Sequence, residues 1–241
     1  MRLTISCLAL TTFLLSHGTA FADPTVGFGV FSLSGTVEGT TTGLDFYLNS
    51  IGDESAISIL DPSLGAFASL VAGTKETIQD LTAAHGVLPG SSFTFANWVQ
   101  LTDGIDLTAE YIPVDVGIAV CGGAGVDTDG NQCRPNATSP IILTQGLNGV
   151  SARVEVDGFA NYVGSTSDTP FVGLFNAPST QYATISSLLV AYQANGGIPD
   201  VAYTGTFTTI PVPEPSWLAL VGLGLLGFGV GGKKRAKTGR A

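Results

Sequence analysis

Between residues 25 and 210, apolar and polar side chains alternate in many short stretches, with Gly, Pro, Asn and Asp between them. Residues 43–50 are the clearest case. Leu44, Phe46 and Leu48 fall on one face and Asp45, Tyr47 and Asn49 on the other, the pattern of a strand with one buried side. The same reading predicts strands at 25–33, 56–60 (ended by Asp61-Pro62), 91–101, 105–111, 114–121, 139–144, 151–156, 159–163, 171–175 and 201–210. One stretch has a different period. In residues 184–195, Ile185, Leu188, Leu189 and Tyr192 sit at i, i+3, i+4 and i+7, which predicts a helix capped by Thr184 and ended by Gly196-Gly197. Residues 63–81 stay open between helix and strand, since Leu64, Phe67, Leu70 and Val71 also fit helical spacing. Short strands with turn residues between them predict an all-β body, an antiparallel β-sandwich closed at one end by the single helix.

Two apolar runs break the alternation. The first lies in residues 1–22, where Arg2 precedes an apolar core at 3–15 and Ala20-Phe21-Ala22 forms a small-residue cleavage pattern. That is a secretory signal peptide, and the mature chain is expected to begin at Asp23. The second is the sixteen-residue run 217–232. As a helix it spans about 24 Å, short of a bilayer core of about 30 Å unless flanking residues extend it. A transmembrane helix is still the expectation, because Lys233, Lys234, Arg235, Lys237 and Arg240 follow at once and basic residues stay on the cytoplasmic side. Ahead of it, Pro213 and Pro215 flank Glu214 and hold that step extended.

Residues 212–216 (Val-Pro-Glu-Pro-Ser), the Gly/Leu-rich run and Lys-Lys-Arg come in a fixed order within the segment 211–241. This order resembles the PEP-CTERM sorting tail of proteins exported by Gram-negative bacteria that make exopolysaccharide. The resemblance implies recognition by exosortase, a membrane cysteine transpeptidase that cuts near Pro213, Glu214, Pro215 and Ser216. It also implies a transient single-pass intermediate in the inner membrane and then delivery to the cell envelope or extracellular matrix. The body, residues 23–210, is similar to β-rich PEP-CTERM bodies of unknown activity. The likeness rests on GTKETIQDL at 73–81, TPFVGLF at 169–175 and VAYTGTFTT at 201–209.

Charge sharpens the picture. The chain carries −10, but the body holds three basic residues (Lys75, Arg134, Arg153) against eighteen acids, a net −15. So acidic a surface excludes nucleic acid and anionic membrane as electrostatic partners. The body has two cysteines, Cys121 and Cys133. In an oxidising compartment the expectation is a disulfide.

The search for chemistry yields little. His85 is the body's single histidine, no G-x-S-x-G or H-E-x-x-H occurs, and a hydrolytic triad has no evident base. Asp103, Asp106 and Glu110 are the acids considered for glycosidase work. Asp127, Asp129 and Asn131, alternating inside the Cys121–Cys133 loop, are the calcium candidate, the one candidate cofactor site. Asn136-Ala-Thr138 matches a glycosylation sequon. The expected function is therefore a non-catalytic, exosortase-sorted envelope or matrix protein, structural or weakly glycan-binding. The alternative is a secreted carbohydrate-active enzyme using paired surface carboxylates.

Overall fold

The computed structural model describes residues 24–40, 43–46 and 54–210. The expected signal peptide (1–22), the sorting motif, the transmembrane run (217–232) and the basic end lie outside the described residues. Eleven strands and one α-helix follow in order: β1 Gly29–Thr40, β2 Leu44–Phe46, β3 Glu54–Gly65, β4 Lys75–Gln79, β5 Phe95–Gln100, β6 Ile105–Tyr111, β7 Gln132–Cys133, β8 Ile142–Gly146, β9 Gly149–Tyr162, β10 Thr169–Ser179, α1 Ile185–Asn195 and β11 Gly197–Thr209.

All strand pairings are antiparallel, and they close on themselves. The order β10-β11-β1-β3-β4-β5-β6-β9 returns to β10 through the β9–β10 pairing. The body is thus an eight-stranded closed barrel, not the sandwich that the alternation predicts. Strands β8 and β7 extend from β9, and β2 pairs with the end of β1. Alternation has the same inside-out signature in either architecture; what closes the barrel is the long-range pairing of β6 with β9 and of β9 with β10.

Aromatic rings fill the barrel. Phe31 stacks on Phe207 at 4.8 Å, and Trp98, fully buried, lies 5.8 Å from Phe207 and 5.9 Å from Phe175. The Trp98 indole N–H donates to the Gln79 carbonyl oxygen at 2.9 Å, which satisfies its only polar atom. Each of four interior rings sits directly across the ladder from a glycine: Tyr203 from Gly35, Phe207 from Gly173, Phe175 from Gly205 and Phe171 from Gly158. At these four positions the missing side chain leaves room for the facing ring, while Phe31 and Phe207, paired across β1 and β11, stack on each other instead. At Gly158 an added Cβ would also run into the Thr108 carbonyl oxygen. Residues 151–156 and 159–163, read as two strands broken near Asp157-Gly158, belong to one continuous β9 that ends at Tyr162, since Asp157 and Gly158 pair with Val172 and Phe171 of β10.

Three other expectations are corrected. Residues 114–121 form no strand; their one bridge is Val120 to Arg134. Strand β3 runs through Asp61-Pro62 because the register against β1 shifts there, and a bulge tolerates a residue with no N–H. Residues 63–81 resolve into the end of β3, a turn and β4. The helix is as expected: Thr184 accepts from the Ser187 N–H at 3.1 Å, and Gly196 ends it with φ of 76°. Among the described residues no helix is long and apolar enough to cross a membrane.

Candidate functional site

The register divides the barrel into two ends. At one, β1 starts opposite the end of β11, with Gly29 against Thr209. The turns 66–74, 101–104 and 163–168 join strands there. The first described segment is tied in by three hydroxyls: Ser165 donates to the Pro24 oxygen at 3.0 Å, Thr169 to Val26 at 2.7 Å and Thr209 to Gly27 at 2.7 Å. Both described chain ends thus leave from this face. At the other end sit α1, β8 and the long excursion 113–141 between β6 and β8.

The disulfide loop belongs to the helix end. Cys121 and Cys133 are bonded, with Cα atoms 4.8 Å apart. Beside them Arg134 is buried, its Nε donating to the Ile118 oxygen at 2.9 Å and its Nη1 to Ala137 at 2.7 Å. The loop carbonyls therefore solvate this guanidinium. Gln145, also buried, donates through Nε2 to the Ala183 and Gly146 oxygens and accepts from the Ile185 N–H, each at 2.9 Å.

Two of the three calcium candidates already hold protein partners. The Asp127 carboxylate accepts from the Ser186 N–H at 2.8 Å, placing negative charge at the start of α1, where the helix dipole favours it. The Asn131 amide donates to the Val126 oxygen at 3.0 Å. Asp129 is exposed. Among the described residues no group of three or more His, Cys, Asp and Glu gathers as metal ligands would. Asn136 uses its oxygen for the Thr138 N–H and hydroxyl, both at 2.9 Å, and its nitrogen for the Tyr192 hydroxyl at 3.3 Å. His85 lies in a 3-10 turn, its ring stacked on Phe95 at 5.1 Å and its Nδ1 3.0 Å from the Asp80 oxygen.

The acids considered for glycosidase work are spread out. Asp106 and Glu110 lie four residues apart on β6, with backbones about 13 Å apart along a strand. Asp103 instead faces Glu76 at the chain-end face. Glu76 is buried, accepting from the Thr102 N–H at 2.9 Å and the Thr102 hydroxyl at 2.8 Å. Burial first, and the nearby Glu76 charge after it, push the Asp103 carboxyl above its usual range. A second pair escaped the sequence reading: Glu155 and Asp157 share one face of β9, and burial, then Glu155, raises the Asp157 carboxyl. Neither pair lines the apolar chamber at the helix end. That chamber, about 30 Å³ and bounded by Leu44, Ile141, Phe175, Ile198 and Tyr203, has room for little more than one water. The Tyr203 hydroxyl is buried without a hydrogen-bond partner, and burial raises its pKa. Glu155 and Asp157 meet by local alternation on β9, whereas only the fold brings Glu76 to Asp103.

Comparison with known proteins bears on the tail. Residues 211–235 match the PEP-CTERM protein-sorting motif. That is a sorting family and not a catalytic one. No curated protein and no solved structure matches the chain. Strand β11 ends at Thr209, and Ile210 still donates to the Pro170 oxygen at 2.8 Å. In the sequence the motif begins at the residue after Ile210.

Proposed function

We propose that this PEP-CTERM chain is an exosortase substrate whose barrel is the delivered cargo, a non-catalytic component of the cell envelope or polysaccharide matrix. The observation that carries the reading is the sorting motif at 211–235. Its position supports the reading physically. Closure of the eight-stranded barrel leaves only the short strands β7 and β2 as sheet edges, and short edges offer little to neighbouring strands. The Pro-Glu-Pro step lies just past the barrel, where extended backbone is open to a transpeptidase. The role we assign to the body is structural or weakly glycan-binding. Its outer wall over β1 and β11 suits that role, since Ser32, Ser34, Thr36, Thr204 and Thr206 form a hydroxyl-rich face, with Ser32 and Thr206 oxygens 3.2 Å apart.

Glu214→Ala is the direct test. The variant is expected to be exported normally and to stay in the membrane at full mature length. Normal trimming of the variant would refute recognition through this motif.

A further inference from the structure

We propose that the chain-end face of the barrel carries a lipid-contact rim, made by Phe28, Leu64, Val71, Val163 and Ile210, that seats the cargo on a zwitterionic bilayer surface while the tail anchors it. The proposal rests on the membrane-anchored intermediate described above. All five side chains are between 53% and 68% exposed. They come from five separate segments, and backbone pairing gathers those segments at one end. Ala66 donates to the Phe28 oxygen at 3.0 Å, Val163 to Gly104 at 2.9 Å and Ile210 to Pro170 at 2.8 Å, while Leu64 pairs with Val30 at the start of β1. Val71 lies in the turn between β3 and β4, which folds back so that Gly73 and Thr74 bond Ile59.

Number of apolar side chains alone does not select this face. The helix end exposes Leu88, Val116, Val120, Leu147 and Val190. The tether selects it. From Ile210 to Trp217 is seven residues, at most about 22 Å of extended, Pro-rich chain. The helix end lies on the order of 30 Å farther away along the strands. A domain tied this closely meets the surface at high effective concentration, so a small apolar contact suffices. The charged neighbours set the lipid type. Asp61 and Asp168 are exposed on this face and Asp103 is half-buried, against one nearby cation, the exposed Lys75 that follows the 66–74 turn and donates to the Ser58 hydroxyl at 2.6 Å. Anionic headgroups are therefore repelled.

The test uses the mature chain from Asp23 through the tail, in phosphatidylcholine vesicles containing brominated lipid. An environment-sensitive fluorophore is placed at Ala72→Cys on the rim or at Asn148→Cys on the opposite end. Cys121 and Cys133, bonded to each other, do not compete for label. Trp217 reports tail insertion, because Trp98 is sealed in the core beyond the quencher's reach. The expected result is severalfold stronger quenching at position 72 than at 148. Adding V71S/V163S, both exposed positions, brings position 72 down to the level of 148 and leaves Trp217 quenching unchanged. Equal, water-like signals at 72 and 148 with Trp217 quenched overturn the rim while the anchor stands. An unquenched Trp217 overturns the anchored reading and the rim with it. A position 72 signal that changes only when exosortase is added assigns the rim to a protein partner and refutes the lipid contact.

Discussion

The two ends of the barrel are held by different physics. The helix end fastens an excursion of 29 residues, 113–141, with a disulfide, a carbonyl-solvated arginine and a carboxylate at a helix start, and a glutamine bridge ties that helix start to β8. The chain-end face uses short turns, three threonine and serine hydroxyls and backbone bonds, and both ends leave apolar side chains in water. Long loops need specific locks because they bury little apolar surface of their own. Short turns are already held by the strands they join. The difference teaches that the end without locks, where the tail leaves, is the one left free to meet something else.

Removing the locks one by one should weaken the helix end alone. The largest effect is expected from Cys121→Ser with Cys133→Ser. Opening that short loop costs about 3 kcal/mol in the chain-entropy model, and hydrogen exchange should rise across 113–141 but not at 163–168. Next is Gln145→Ala, which strands the Ile185 N–H and the Ala183 oxygen; about 2 kcal/mol is expected, read as a lowered denaturation midpoint with fraying of α1. Asp127→Ala removes one acceptor at the helix start and is expected to cost about 1 kcal/mol. If calcium sits in the loop through Asp127 and Asp129, excess calcium raises the melting temperature of the native chain and not of the variant. If Asp127 acts only as a cap, calcium and chelator leave both unchanged.

The smallest effect belongs to the chain-end face and has the opposite sign. The Asp103 carboxyl is raised by burial and by Glu76. A raised carboxyl binds its proton more tightly in the folded state, so its contribution to stability falls as pH rises from the unfolded value through the folded one. Asp103→Asn should therefore stabilise slightly at neutral pH and flatten the pH dependence of the melting temperature just above the ordinary carboxylate range.

The sequence was most legible where burial is one-sided and local. Residues 105–111 alternate cleanly and form β6, and the i, i+3, i+4, i+7 set at Ile185 forms α1. The failures have one cause. Val114, Val116, Ile118 and Val120 alternate as well as β6 does, yet Val116 is 86% exposed, because alternation supplies a face and not a partner strand. Barrel closure, the Glu76–Asp103 pair and the rim likewise depend on which distant strands meet. The disulfide was legible from compartment and cysteine number. The sorting motif was legible because its chemistry is linear, with no fold needed to assemble it.

The central claim is that the barrel is cargo released by cutting its tail. Its most direct test is the intact mass and location of the native chain in an exosortase-positive host and in a host lacking the enzyme. The account predicts a membrane-bound species beginning at Asp23 and retaining the tail when exosortase is absent, and a species ending near Pro213–Ser216 outside the membrane when it is present. A tail that persists in exosortase-positive cells would contradict it and leave a simple single-pass anchor.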